Sequence, residues 1–369
     1  MRNFGLDLAR AVAIVLVVAS HYGGNAVDSL GVLGVELFFV LSGFLIGGIL
    51  LKTLESSSGL GLRQILGFWL RRWFRTLPNY YLFGLVYLVL HIVDGYGVPK
   101  QLWKYALFLQ NVGSPPEFFV LSWSLAVEEW FYFIFPAVML LLFWFLCSKR
   151  VAFAGAVSLI YVGSFVARVA TEKYLHHGEW VRVLAPLRLD TIMVGVMLAL
   201  LARKYAKAWR IVLSIWPAGF ILVAGCSLVL MASTTKAASV IPNYLLYSII
   251  PIGFAICLAR LTNIKRPREW VATLVESLSK WSFSLYLCHN LLAMQLYKAI
   301  PNYAEFGLSS KIVIKCLCVG FDVLIASLVY RCFEKPVMDL RDRIPISQAR
   351  QLRPSQHRPN HPKLQETHG

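Results

Sequence analysis

Long apolar runs, separated by short polar segments, dominate the pattern of the chain. About ten of these runs are close to the length of about 20 residues that lets a helix cross a bilayer. They lie at residues 6–24, 31–51, 77–93, 126–147, 151–170, 183–201, 211–232, 243–259, 280–297 and 312–330. The pattern therefore predicts an all-α fold, a polytopic membrane helix bundle with about ten transmembrane helices embedded in the lipid bilayer.

The distribution of basic residues predicts the orientation of this bundle. Most of the 36 lysines and arginines lie in the segments that would share the side of the N-terminus. Cytoplasmic loops of membrane proteins carry such an excess of Lys and Arg. We therefore expect both termini in the cytoplasm.

Composition supports a membrane protein and argues against a nucleic-acid partner. The 369 residues are 58% hydrophobic, with a mean hydropathy of +0.63, whereas a soluble domain is about 45–50% apolar. The net charge of +17 is spread between the apolar runs rather than clustered, so we expect no nucleic-acid binding. The first run contains Arg10 and is followed by many others, which favours an uncleaved span over a cleaved signal peptide.

The chain divides into one long apolar part and a short polar tail. Residues 1–340 are expected to form a single transmembrane domain. Residues 341–369 are polar, basic and proline-bearing, which predicts a disordered cytoplasmic tail. The seven cysteines lie in or beside apolar runs without a ligand spacing, so we expect neither a disulfide framework nor a metal site.

Three ionisable residues interrupt the first run, which reads LDLARAVAIVLVVASHYGG. They are Asp7, Arg10 and His21, and such groups cost several kcal/mol inside hydrocarbon. Arg10 and His21 are eleven residues apart, about three helical turns, so they share one stripe and lie about 16 Å apart along the axis. Asp7 joins the stripe, which should face the bundle interior, with His21 near or past the middle of the membrane.

The second and third runs add candidates near this stripe. Glu36 lies one turn into the glycine-rich second run and needs a partner, and Arg10 or His21 could be that partner. The glycines of this run favour close helix packing. The loop before the third run reads FWLRRWFRTLPNYY. Arg72 and Arg75 share one helix face there. The segment is either an interfacial helix, or its arginines form a clamp for a phosphate or carboxylate.

The fourth run opens with WSLAVEEWFYFIFP, in which Glu128 shares a face with both Ser124 and Tyr132. The predicted topology puts Glu128 in the outer half, together with His21. A His–carboxylate pair is a common general-base arrangement, so we hypothesise that His21 and Glu128 lie within hydrogen-bond reach. Structural pairing is the alternative, and Glu129 is expected at the interface.

Later runs contain further buried polar residues. Arg188 and Asp190 are two residues apart and cannot share a helix face, so each should meet another helix. His289 lies in the ninth run, either as hydrogen-bonded structure or in a functional role. Together with Glu36, Ser124 and Tyr132, these residues are candidates for substrate binding or for structure. The segment YRCFEKPVMDL predicts a helix that ends at Pro336.

Five of these stretches, in this order, resemble the acyltransferase 3 family of integral membrane acyltransferases. They are LDLARAVAIVLVVASH with its Arg-x10-His spacing, GVELFFVLSGFLI, RRWFRTLP, WSLAVEEWFYFIFP, and FSLYLCHN followed by FEKP. Together they extend from Leu6 to Pro336. Members of this family acylate O-antigens, exopolysaccharides, nodulation factors and macrolides. Only Ala9, where the family has leucine, departs from the usual start.

The resemblance implies an O-acyltransferase of the bacterial inner membrane. It implies a cytoplasmic acyl-CoA donor, by default acetyl-CoA, and a hydroxyl acceptor on an envelope carbohydrate or glycolipid. By the family pattern His21 is the catalytic histidine, Arg10 its motif partner, Arg72 and Arg75 the donor-binding pair, and Glu128 the motif glutamate. His21 would act as a base or carry the acyl group itself.

Two expectations stay open at this point. Some family members carry an extra periplasmic esterase-like domain, which we do not expect in this sequence, so a separate periplasmic partner could complete the transfer. The alternative to an enzyme is a transporter or flippase, because buried ionisable residues also mark transport pathways. The absence of an evident inverted repeat and the loop arginines favour the enzyme.

Overall fold

The computed structural model describes residues 3–23, 27–56, 61–174, 180–234, 241–291, 294–295, 298, 300 and 303–343. These residues contain helices and short helical turns but no strand, which confirms the all-α prediction. The helices are α1 (Phe4–Gly23), α2 (Asp28–Glu55), α3 (Leu62–Val93), α4 (Leu102–Ala106), α5 (Ser122–Leu146), α6 (Lys149–Tyr174), α7 (Leu189–Lys204), α8 (Ala206–Ser214), α9 (Trp216–Thr234), α10 (Asn243–Leu261), α11 (Glu269–Cys288), α12 (Leu308–Val329) and α13 (Lys335–Arg343).

Within the described residues, seven helices are long and apolar enough to cross a membrane. They are α1, α2, α3, α5, α6, α10 and the continuous stretch Leu308–Arg343. The pair α8–α9, bent by 57°, raises the number to eight. The window 183–201 falls largely on α7, and the first half of the window 280–297 falls on α11; neither helix meets the same length and composition criteria. The protein is therefore a multi-pass membrane protein, while ten spans and the side of the termini stay predictions.

The loop predicted before the third run is part of a helix. α3 begins at Leu62 and continues through Pro78 to Val93, so the segment 68–81 is helical throughout. The charged residues suggested a loop, but Arg72 and Arg75 face an internal cleft rather than lipid. A helix can carry such residues through the apolar layer when they face the bundle interior.

The predicted helix stop at Pro336 is also wrong. α12 passes through a π-turn, Tyr330–Glu334, and continues into α13 up to Arg343. Pro336 follows directly after the π-turn, in which the Lys335 N–H bonds to the Tyr330 carbonyl, so the proline lies where the regular hydrogen-bond ladder of the helix is already interrupted. Helix thus extends past the predicted boundary at residue 341, and residues 344–369 of the predicted tail lie outside the described residues.

α2 packs along its length against α1 and α7, and glycines allow these close approaches. Gly34 lies against Ala13 and Val17 of α1, and Gly43 lies against the backbone of Ile192 and Gly195 on α7. A Cβ atom at Gly43 would be 1.9 Å from the Ile192 carbonyl oxygen. The close packing expected from the glycine-rich second run is therefore present.

Two ion pairs are buried between the helices. Arg168 on α6 donates to both carboxylate oxygens of Asp190, over 2.8 and 2.6 Å, and Arg188 donates to Glu36 on α2. All four side chains are at most 1% exposed. Arg188 and Asp190 therefore meet different helices, as predicted. The partner proposed for Glu36 on the first span is wrong, because Arg188 at the start of α7 occupies that position.

We expect Gly43→Ala to lower the thermal stability of the detergent-solubilised protein, while Gly48→Ala leaves it unchanged or slightly higher. Both substitutions gain about 1 kcal/mol of helix propensity. Only the methyl group at Gly43 meets a backbone oxygen, since no atom lies within 4 Å of a Cβ at Gly48; overpacking typically costs about 1–3 kcal/mol. Equal unfolding midpoints for the two variants would contradict the close contact between α2 and α7.

Arg188→Met should destabilise the protein strongly because it leaves the Glu36 carboxylate buried without its cation. Breaking a buried pair costs about 3–5 kcal/mol, whereas removing both charges is often neutral. The double variant Glu36→Leu/Arg188→Met should therefore unfold at a higher temperature than the single variant. The pairing would be energetically irrelevant if the double variant were the less stable of the two.

Candidate active site

A cleft of about 790 Å³ lies between α1, α2, α3, α5 and α11. Its apolar wall includes Phe38, Phe39, Leu45 and Phe283. Its polar lining combines cations, hydroxyls and one carboxylate: Arg10, Ser42, Arg72, Arg75, Thr76, Ser124, Glu128, Tyr132, Ser282 and Tyr286. The structure thus brings six of the residues singled out from the sequence, namely Arg10, Arg72, Arg75, Ser124, Glu128 and Tyr132, into one cavity.

Arg72 and Arg75 both line the cleft, as expected for residues that share a helix face. The Arg72 guanidinium lies 5.6 Å from the centre of the Tyr132 ring and 5.8 Å from that of Phe68. Arg71, which precedes them, is not among the lining residues, and its backbone carbonyl accepts a hydrogen bond from Arg341. Two of the three arginines in the segment 71–75 of α3 therefore present cations to the same space.

Arg10 adds a third cation and is held by α11. Its guanidinium lies 3.9 Å from Asp7 and 3.4 Å from the Ser279 hydroxyl, which in turn donates to Asp7 over 2.7 Å. The Arg10 side chain is 17% exposed. The predicted stripe of α1 therefore faces α11, with Arg10 directed into the cleft.

Glu128 is bound by hydroxyl groups rather than by histidine. Ser42 donates to one carboxylate oxygen over 3.0 Å, and Tyr132 donates to the other over 2.8 Å. The neighbouring Glu129 is 8% exposed and accepts from Thr76 over 2.6 Å. The expectation of an interfacial Glu129 is therefore wrong, because its carboxylate packs against α3.

Ser124 and Tyr286 close the deep end of the cleft. Their hydroxyl oxygens are 2.6 Å apart, and the Tyr286 hydroxyl also donates to the Leu121 carbonyl over 3.2 Å. The ring of His289 lies behind Tyr286, with 5.9 Å between the ring centres. Tyr286 thus separates the cleft from the end of α11.

His21 and His289 meet beyond this barrier. Their ring centres are 4.6 Å apart and their planes nearly perpendicular. His21 is exposed in the last turn of α1, and its Nδ1 lies 3.0 Å from the Val17 carbonyl oxygen. His289 is fully buried, and its Nδ1 lies 2.9 Å from the Tyr286 carbonyl oxygen. The sequence analysis treated these two residues separately, and the structure places them in contact.

The predicted hydrogen bond between His21 and Glu128 is not found in the part of the chain that the structure describes. Glu128 contacts Ser42, whereas Gly31, eleven residues earlier on α2, lies against Ser20, the neighbour of His21. Eleven helical residues correspond to about 16 Å along the axis. The pair hypothesis is therefore wrong for this structure.

The predicted depth of Glu128 was wrong because of the connection before α5. The prediction assumed that the segment before the fourth run lies at the membrane face. Instead, Gln110 and Asn111 are buried there and donate to Ser122 and to the Trp123 carbonyl. α5 therefore begins inside the bundle, and Glu128 lies at the level of the arginines rather than beside His21.

Sequence reasoning missed two residues next to the histidines. The Tyr22 hydroxyl donates to Asp322 of α12 over 2.5 Å and lies 2.9 Å from the His289 carbonyl oxygen. Asp322 is fully buried. An acidic residue within the apolar run 312–330 was the available signal, because such a group needs a partner.

The remaining candidates lie outside the cleft. Glu36, Arg188 and Asp190 belong to the buried ion pairs and do not line the cavity. Among the described residues, no group of three or more His, Cys, Asp or Glu side chains could hold a metal ion. The cations of the cleft instead suit an anionic organic ligand.

Comparison with known proteins adds the family. Residues 3–330 match the model of the acyltransferase 3 family, described as "Acyltransferase domain". A Staphylococcus aureus (strain COL) protein named "Putative O-acetyltransferase SACOL0978" is 26% identical over 368 residues, covering 90% of this chain and 56% of the relative. The peptidoglycan O-acetyltransferase OatA of Listeria monocytogenes is 34% identical over 152 residues, covering 37% of this chain and 24% of the relative.

The chain spans about half the length of the Staphylococcus relative and matches a smaller part of OatA. No solved structure matches it. The family match covers nearly the whole described bundle, including the cleft and both histidines, and it favours acyl transfer over transport. The chain belongs to the acyltransferase 3 family.

Proposed function

We propose that the protein transfers an acyl group, by default acetyl, from acyl-CoA in the cleft to a hydroxyl group of a cell-envelope carbohydrate. The observation that carries this proposal is that the cleft combines arginines along its length with a wall that contacts the histidine pair. Three arginines lie along the cleft, and its deep end at Tyr286 stands directly before the histidine pair. An anionic donor and a histidine-activated acceptor can therefore occupy opposite sides of one barrier.

The cleft offers what a CoA thioester needs. Arg72 and Arg75 can bind phosphate oxygens through their guanidinium forks. The apolar wall that follows towards Tyr286 can take the uncharged arm and the acyl group. Because α3 begins at the end of the bundle where α1 begins and α2 ends, the arginines lie nearer that end. We assign this end to the cytoplasm, where acyl-CoA is available, and place the protein in the bacterial inner membrane.

His21 is the proposed base for the acceptor. Its Nδ1 lies 3.0 Å from the Val17 carbonyl oxygen and 3.1 Å from the Ser20 hydroxyl. The carbonyl oxygen can only accept, so we assign the ring proton to Nδ1, which leaves the lone pair on Nε2. Nε2 would take the proton of the acceptor hydroxyl while the hydroxyl oxygen attacks the thioester carbonyl. The C–S bond then breaks, and the departing CoA thiolate takes the proton back as a thiol. The exposure of His21 gives a large acceptor access to this nitrogen.

The acceptor class rests on the relatives. OatA is named a peptidoglycan O-acetyltransferase, so we propose a carbohydrate hydroxyl of the cell wall or of its lipid-linked precursor. A separate partner protein that acts on the outer side stays part of the proposal.

His21→Ala should abolish the transfer of radiolabel from acetyl-CoA to envelope glycan in membrane vesicles. The loss should exceed 100-fold, in keeping with the 10²–10⁴-fold contribution of general acid–base groups. His91→Ala is the matched control, because His91 stacks on Tyr96 at the end of α3 and lies outside the cleft. Equal transfer by wild type and His21→Ala would remove His21 from the mechanism.

Arg72→Gln and Arg75→Gln should each raise the KM for acetyl-CoA by about 10- to 100-fold. This range corresponds to one charge-assisted hydrogen bond of about 1.5–3 kcal/mol. Arg71→Gln should leave the KM unchanged, since its side chain does not line the cleft. If the cleft variants keep the wild-type KM and lose only kcat, the arginines do not bind the donor.

A further inference from the structure

We propose that Arg182 binds an anionic group of the acceptor, a carboxylate or a phosphate, on the side of Tyr286 that faces away from the cleft. This inference rests on the proposed function, in which the acceptor hydroxyl meets His21 at that end of the bundle. It gives the acceptor a second point of attachment and names its chemical class: a carbohydrate that carries an anionic group near the hydroxyl to be acylated.

Arg182 lies in the connection between α6 and α7, at the end of the bundle opposite to the one assigned to the cytoplasm. α6 begins next to the end of α2, since the Lys149 amine donates to the Leu54 carbonyl over 3.2 Å. The connection follows after 26 helical residues, which correspond to about 39 Å along the axis. Arg182 is therefore at the same end as His21 in the last turn of α1.

The backbone around Arg182 is fixed on both sides. Val181 is fully buried, and the Asn111 side-chain amide donates to the Val183 carbonyl over 2.8 Å. The Ala185 N–H donates to the Asn111 carbonyl over 3.2 Å. The Arg182 side chain itself is exposed. The fold thus presents this cation from an ordered turn, and such preorganisation lowers the entropic cost of binding a ligand.

The Arg182 guanidinium points towards the barrier that closes the cleft. It lies 5.8 Å from the centre of the Trp123 ring in the first turn of α5. Ser124, the next residue, forms the barrier with Tyr286, and the charge of Arg182 also acts on the Tyr286 hydroxyl. Neither Arg182 nor Trp123 lines the cleft. An anion bound by Arg182 would therefore lie beside the barrier but outside the donor cavity.

The N–H donors of Arg182 are available for a ligand. Within the described chain, its side chain forms neither an ion pair nor a hydrogen bond. A carboxylate at the same end of α6, Glu172, is already bound by the backbone N–H groups of Asn243 and Tyr244 over 3.0 and 2.8 Å. A guanidinium offers five donors in a planar fork that matches carboxylate and phosphate oxygens. Arg182 can therefore bind an anion without breaking an existing ion pair.

Two points of attachment would orient the acceptor. An anionic group held by Arg182 and a hydroxyl held by His21 restrict the rotation of a sugar that one contact alone leaves free, and such positioning lowers the barrier of a bimolecular step. The cations of the cleft would bind the donor and Arg182 would bind the acceptor. The two substrates would then be recognised by separate charges on the two sides of Tyr286.

The test compares matched acceptors with detergent-solubilised wild type and Arg182→Gln, with radiolabelled acetyl-CoA as the donor. One acceptor is a soluble peptidoglycan glycan fragment, used before and after reduction of its carboxylates to alcohols. The other is a lipid-linked disaccharide diphosphate, used together with the free disaccharide. The KM for each acceptor and for acetyl-CoA is measured.

Arg182→Gln should raise the KM for a charged acceptor by about 5- to 20-fold, between the effect of an exposed ion pair and that of a charge-assisted hydrogen bond. The KM values for its neutral counterpart and for acetyl-CoA should not change. Arg182→Lys keeps the charge and should recover part of the affinity. Lys173→Gln is the control, because it removes an exposed cation that lies over Tyr244 instead. Added NaCl should weaken charged-acceptor binding by wild type more than by Arg182→Gln.

The charged acceptor that responds identifies the source of the anion, a carboxylate of the glycan or a phosphate of the lipid carrier. An equal rise in KM for charged and neutral acceptors, no rise for any acceptor, or a rise for acetyl-CoA would overturn the proposal. The proposed function fails by a different result, namely equal acetyl transfer by wild type and His21→Ala.

Discussion

The cost of placing ionisable side chains inside an apolar helix bundle is the constraint on which the rest of the structure depends. Each such group must meet a counter-charge, a hydrogen-bond partner or a polar cavity. Arg188 with Glu36, and Arg168 with Asp190, meet the requirement by pairing. Arg72 and Arg75 meet it by facing the cleft. The two ion pairs join α2, α6 and α7, and the two arginines line the cleft.

The same constraint distinguishes structural from functional polar residues better than residue type does. Asp190 has both oxygens bonded to one arginine and can offer nothing to a ligand. Glu128 also has both oxygens bonded, but to the hydroxyl groups of Ser42 and Tyr132, and it borders open space. His289 is one of several buried side chains in the described part of the chain that have a polar atom without a hydrogen-bond partner.

Much of the fold was predictable, and the limits have physical causes. The apolar runs located most helices. The spacing of Arg10 and His21 predicted the stripe of α1, because an α-helix has a fixed period. Glu128 was misplaced because burial of Gln110 and Asn111 is a tertiary event with no local signal. The contact between His21 and His289 joins residues 268 positions apart, which no periodicity reveals. Pro336 was misjudged because a π-turn shifts the helix before it.

The parallel contact of α1 and α11 explains how one helix can serve both sides of the barrier. Arg10 meets Ser279, and His21 meets His289, so the two helices advance together from the cleft to the opposite end. Tyr286 lies between these two contacts on α11 and closes the cleft with Ser124. In the proposed reaction, a thioester in the cleft and a hydroxyl at His21 would lie on opposite sides of this side chain, so Tyr286 would have to move before the two could meet.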